Sequence, residues 1–185
     1  MKALVLISCF LFNLAFADIK TSLYHLYQDK QYEEACKEGL KVFQKYREDE
    51  EFVSLYAFSC LHADYIDRLA IPISLLKKTE EARSNAAYFS VILMQKKLLY
   101  HALLDGYELN TLKLPTTDHV LSIVFELYSK VPHDRKQNHY MFFDQQNEKV
   151  SYKLYVKNGS RSKKMVIEEY YDTIISQVKD LGIPL

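Results

Sequence analysis

Two cysteines, Cys36 and Cys60, stand 24 residues apart and in no C-x-x-C arrangement, while a third, Cys9, sits in an apolar leader. That spacing argues against a thioredoxin-like exchange centre or a zinc knuckle. In an oxidising compartment Cys36 and Cys60 can close a bridge between neighbouring helices. Otherwise both serve as small buried hydrophobes. A cysteine nucleophile needs a base, and His62 is the first to test. Residues two apart on a helix face different ways, so Cys60 and His62 cannot couple there. His101 and Asp105, four apart, share a helical face, enough for an oriented imidazole or one pair of metal contacts. A zinc site takes at least a third protein ligand, and a surface ion pair accounts for the same two residues.

Asp64 with Asp67, Asp118 with His119, and His133, Asp134 and His139 fall in polar connections without a metal-ligand motif. The paired carboxylates Glu33-Glu34, Asp49-Glu50-Glu51, Glu80-Glu81 and Glu168-Glu169 lie in hydrated helical contexts, whereas acid catalysis needs one carboxyl raised in a cleft. There is no G-x-S-x-G, H-E-x-x-H or phosphate-cradling loop, and 4 glycines are few for a nucleotide fold. The residues name no reaction, cofactor or metal. They favour a non-catalytic role over a small hydrolase or lyase whose polar groups gather only in three dimensions.

Charge offers a different chemistry. Residues 130–164 hold nine Lys or Arg against three acidic residues in a chain that is neutral overall. Lys153, Tyr155 and Lys157 alternate on one side of a strand pattern, followed by Arg161, Lys163 and Lys164. This set could meet an acidic partner, an anionic lipid or a glycan, or it could simply protect an exposed strand edge. Nucleic acid is set aside as a natural partner because the chain reads as exported. Asn158-Gly159-Ser160 is a formal glycan acceptor and equally a tight turn.

The export reading rests on the start of the chain: Lys2, an apolar run from Ala3 to Phe12, and Ala15-Phe16-Ala17 before Asp18. A charged start, an apolar centre and small residues before the cut describe a signal peptide cleaved after Ala17. A single membrane anchor is the alternative, but the apolar part falls short of the roughly 20 residues that cross a bilayer. Nothing after Ala17 has the length and apolarity of a membrane span. What remains after the cut, in a chain with 15 Tyr and 10 Phe, suffices for one domain with a real core. A bacterial periplasm fits better than an extracellular medium.

The elements that would position these groups are mostly helical. Leu23, Leu26, Tyr27, Tyr32, Ala35, Cys36, Leu40, Phe43 and Tyr46 follow the helical period, broken at Gln28–Gln31, which predicts two helices and a tight turn. Phe52 to Ala63 carries another helical face, and Pro72 suits the first turn of a further helix. Ala82 to Leu104 predicts a long helix capped by Gly106, and Thr117 or Asp118 opens a shorter one to Lys130. The period then changes. Tyr140–Phe143 and Val150–Val156 predict a β-hairpin. From Met165 to Leu181 an apolar stripe predicts a C-terminal packing helix, with a third strand over residues 160–166 as its rival. The expected organisation is a leader over residues 1–17, a helical region over 18–130, and a β-hairpin plus helix over 131–185 packed on the same domain.

Tyr32-Glu33-Glu34-Ala35, preceded by Leu23 and Leu26-Tyr27, resembles a unit of the tetratricopeptide family, a helix-turn-helix repeat of about 34 residues. A step of that length maps Leu23 to Ala57, Leu26 to Cys60, Tyr27 to Leu61, Tyr32 to Ile66 and Ala35 to Leu69. A second step reaches Val91, Met94, Gln95, Tyr100 and Leu103, where Gln95 breaks the apolar pattern. The family's glycine positions fall on Leu23 and Lys30. The likeness covers residues 19 to about 104. It implies antiparallel helical hairpins, a superhelix with a concave groove for a peptide or partner helix, and no chemistry of its own. A mainly α fold with a small β-hairpin follows, and with it an exported adaptor or assembly factor that binds a protein or peptide. A structural envelope component is the third alternative.

Overall fold

The computed structural model describes residues 19–131, 139–159 and 163–182. The expected leader over residues 1–17 lies outside them, as do His133, Asp134 and Arg161. Helix α1 covers residues 19–28, α2 Tyr32–Tyr46 and α3 Glu50–His62. A 3-10 turn, Ile66–Leu69, runs into α4, Ala70–Leu75, and is followed by α5, Glu80–Asp105, and α6, Val120–Ser129. Among the described residues the fold is therefore mainly helical, with a small antiparallel sheet.

The helix ends follow from local chemistry. Asp49 accepts from the N–H of Phe52 at 3.2 Å and Thr79 from that of Ala82 at 3.1 Å, each ahead of two glutamates in the first turn. Glu50 reaches across to the N–H groups of Lys77, Lys78 and Thr79. Burial pulls its pKa upward, but those donors outweigh it and lower it to about 2. Helix α1 ends with the N–H of Gln31 on the Leu26 carbonyl and that of Lys30 on Tyr27, with Lys30 at φ +59°. The same closure ends α3: Tyr65 returns to Cys60, Asp64 to Leu61, and Asp64 takes φ +64°.

No third turn follows at that interval. Leu98, where it would fall, lies inside α5, which runs unbroken for 26 residues to Gly106. The second hairpin is also short, because Pro72 sits in a helix of only 6 residues. The segment around Leu98 is made of good helix formers, and a left-handed residue is first supplied by Gly106, at φ +71°.

Cys36 and Cys60 are joined, tying α2 to α3 across a Cα separation of 4.8 Å. Gly39 lets the same helices approach, since a Cβ there would lie 2.7 Å from the Tyr56 ring. Phe43 packs on Tyr56 and Tyr46 on Phe52, with ring centroids 4.8 and 5.0 Å apart. Phe58 against Phe89 carries the packing on to α5.

Among the described residues four antiparallel strands follow in the order of the chain: β1 His139–Phe143, β2 Val150–Asn158, β3 Lys163–Tyr171 and β4 Ile174–Leu181. The predicted hairpin is β1 and β2. The predicted C-terminal packing helix over Met165–Leu181 is not formed, because those residues build β3 and β4 around a turn where Asp172 takes φ +56°. Val166, Ile167, Ile174, Ile175 and Val178 are β-branched and Tyr170 and Tyr171 aromatic, a composition that suits a pleated surface better than a helix. The helical spacing arose because apolar residues lie on both faces of the hairpin. One face, with Phe142, Tyr152, Leu154, Met165, Ile167 and Leu181, joins the helical core in a single hydrophobic cluster. Tyr128 of α6 makes the junction, its ring 5.2 Å from Tyr140 and 6.4 Å from Phe142.

Candidate functional site

Where the end of α5 and its following loop face α6 and the sheet, a cleft of about 810 Å³ opens. Its walls carry Tyr107, Tyr128, Tyr140, Tyr155, Asn158 and Lys163. Each is placed by a local device. Gly106 reverses the chain so that Tyr107 stacks on His101 at 4.8 Å, and the buried Leu109 pins the loop. The Tyr100 hydroxyl donates to the Lys163 carbonyl at 2.6 Å, fastening the start of β3 to α5. The lining mixes tyrosine rings with polar and charged groups, among them Asp105, Glu108 and Lys130.

The basic and aromatic residues singled out in the sequence reach this place only in part. Tyr155 and Lys163 line the cleft. Register brings acids to the others: Lys153 lies 3.4 Å from Glu168, while Lys157 and Lys164 share Asp180 at 2.8 and 3.4 Å. Tyr155 donates to Glu168 at 2.8 Å beneath the Lys153 ammonium. Burial, then that bond, push its pKa up to about 12. Lys163 is exposed at the rim. Lys153, Lys157 and Lys164 are thus each paired with an acid on the strand surface.

A second constellation crosses the helices. His62 stacks on Tyr32 at 4.7 Å, beside Tyr27, and the Tyr88 hydroxyl donates to Asp118 at 2.9 Å. His119 caps α6, its Nδ1 accepting from the Leu121 N–H at 3.2 Å, so its proton sits on Nε2. Burial, then Lys179 and His62, depress its pKa to about 4 against the pull of Asp118. Burial and Lys179 lower His62 as well. Folding thus favours the neutral form of both imidazoles. His101 and Asp105 form the expected exposed pair at 2.8 Å. Among the described residues no three His, Cys, Asp or Glu gather to hold a metal.

Sequence reasoning missed a third group, which joins the sheet to the helices. Lys179 of β4 pairs with Asp64 at 2.9 Å, and Lys96 of α5 with Asp67 at 2.5 Å and the Gly182 carbonyl at 3.2 Å. Lys97 adds to Asp67 from the surface. Burial raises the pKa of Asp64 and, despite Asp67, lowers that of Lys96. The readable signal was Gln95-Lys96 between Ile92 and Leu99: two polar residues on the buried stripe of α5, both within 3% of full burial. Gln95 donates to the Pro115 carbonyl at 2.9 Å and holds the loop before α6.

No helix among the described residues is long and apolar enough to cross a membrane. Comparison of the chain with protein-family models, curated proteins and solved structures found no match.

Proposed function

We propose that the chain is an exported, non-catalytic adaptor or assembly factor that binds a protein or peptide segment. The observation that carries this reading is the tyrosine-lined cleft between α5, α6 and the sheet. Tyrosine buries a large ring while keeping its hydroxyl bonded, the property that enriches it at recognition surfaces. The polar groups in the walls are the amides of Asn110 and Asn158, hydroxyls, the carboxyl groups of Asp105 and Glu108 and the ammonium groups of Lys130 and Lys163, a mixed set suited to a polar peptide segment.

Export is supported by the leader pattern and by the Cys36–Cys60 bond, which an oxidising compartment sustains; the periplasm is the compartment proposed. A tetratricopeptide-like ancestry of residues 19–75 is supported by the turn at Lys30, which returns one repeat length later at Asp64. On that reading α5 replaces a third repeat and the sheet covers the end of the stack, as a capping unit does.

The test is native capture of the tagged protein from the exported fraction, wild type beside Tyr107→Ala and Lys163→Glu. Both positions are exposed, so the fold should survive and the thermal midpoint checks it. A specific partner recovered by the wild type and lost by both variants is the expected outcome. Equal recovery by all three would remove the cleft from recognition.

A further inference from the structure

Among the described residues strand β1 is an edge of the sheet, with β2 on one side only. Its ladder fixes which backbone groups face outward. The Asp144 N–H donates to the Val150 carbonyl at 2.9 Å, so Phe142 with Tyr152 and Tyr140 with Leu154 are the closely bonded pairs. The N–H and C=O groups of His139, Met141 and Phe143 therefore point away from β2. Their side chains stand on the outer face of the sheet, where Met141 is 46% and Phe143 69% exposed.

The usual protections of an edge are missing here. The strand His-Tyr-Met-Phe-Phe holds no Lys, Arg, Asp, Glu, Pro or Gly, and its register with β2 runs without a bulge. The opposite edge is guarded: β3 and β4 slip register at Glu169/Tyr170, and the charges of β4, Lys179 and Asp180, are held in ion pairs.

We infer that β1 pairs antiparallel with β1 of a second copy, about a two-fold axis at Met141, to make one eight-stranded sheet. The occupant is a second copy because the edge is complementary to itself. Met141 meets Met141, and His139 meets Phe143 of the second copy, each an outward-facing pair that exchanges both backbone bonds. The outer-face rows then juxtapose thioether with thioether and imidazole with phenyl, and the inner-face neighbours Tyr140 and Phe142 also meet each other across the axis. No like charges oppose one another along the edge, because β1 carries no Lys, Arg, Asp or Glu. Tyr140 lines the seam cleft, so the two clefts of the dimer flank its axis.

Sedimentation of the purified protein from about 1 to about 200 µM tests this by mass action. The wild type should convert from monomer to dimer within that range. Met141→Lys, which sets two ammonium groups against each other at the axis, should weaken the dimer by about tenfold or more. Ile175→Lys on the guarded edge should leave it unchanged. Met141→Cys should give a cross-linked dimer on mild oxidation, with the Cys36–Cys60 bond intact, and supplies the answer if the lysine variant fails to fold. A wild type monomeric throughout, an undiminished Met141→Lys dimer, loss of the dimer in Ile175→Lys, or a Met141→Cys protein that stays monomeric would each overturn the inference.

Discussion

Helix α2 meets α3 through the Cys36–Cys60 bond, the Gly39–Tyr56 contact and paired aromatic rings. Strand β4 meets the helices through charge: Lys179 on Asp64, and Lys96 on Asp67 and the Gly182 carbonyl. The two joints respond to different insults. A covalent and apolar joint is indifferent to pH and salt. A buried ion pair is held only while both partners are present, because either one alone is a charge without solvent. The end of β4, which also buries Leu181 in the core, therefore rests in part on the more conditional of the two.

Removing one partner of the buried pair should have the largest effect. Asp67→Ala leaves Lys96, whose side chain is 4% exposed, with the Gly182 carbonyl alone, a loss of about 3–5 kcal/mol. The double change Asp67→Leu with Lys96→Met should recover most of it, since no charge is then stranded. Urea unfolding measures both, and hydrogen exchange at β4 locates the damage. A single variant within experimental error of the wild type would show that the joint does not depend on charge.

Reduction should break the other joint. The bond closes a loop of 24 residues, worth roughly 3 kcal/mol in the chain-entropy account. Unfolding of the reduced protein at neutral pH should show that loss, and raised salt should not alter it. An equal midpoint before and after reduction would mean that the apolar contacts of α2 and α3 suffice.

The pH dependence sharpens the contrast. His119 has a pKa of about 4, below the value near 6.5 of an unfolded chain. Its neutral form is thus favoured by folding. The corresponding stability is complete above about pH 6.5 and is lost as pH falls toward 4. Asn also serves as an N-cap, so His119→Asn keeps the bond from the Leu121 N–H and removes the titration. The variant should lose less stability than the wild type between pH 6.5 and pH 4. Parallel curves would show that His119 contributes nothing to the decline.

Much of the helical part was legible because its signals are local. The apolar spacing from Leu23 to Tyr46, the Gly106 cap and the polar break at residues 28–31 each depend on neighbours within a turn or two. The end of the chain was not, for a reason of geometry. Met165, Ile167, Tyr170, Tyr171, Ile174, Ile175 and Val178 fit a period near four only because a hairpin exposes apolar residues on both faces. The cysteines announced their bond by type but not by position. Of the candidate site, Tyr155 and Lys163 were visible in advance. The acids opposite Lys153, Lys157 and Lys164 were not, because a strand's partners are set by register, which brings together residues as distant in the chain as Lys157 and Asp180.

The smallest effect tests whether burial, rather than charge, separates the joints. Lys157 and Lys164 both approach Asp180, as Lys96 and Lys97 both approach Asp67, so each acid faces two ammonium groups. The difference is exposure: the Lys157 side chain is 44% exposed and that of Asp180 36%. Water screens that pair, and a second lysine remains when one is removed. Lys157→Ala should therefore change stability by no more than about 0.5 kcal/mol, an amount that shrinks further in salt. Urea midpoints at low and high ionic strength give the answer. A loss approaching that of Asp67→Ala would mean that the outer lattice of the sheet holds it as firmly as the buried pair, and the distinction between the joints would fall.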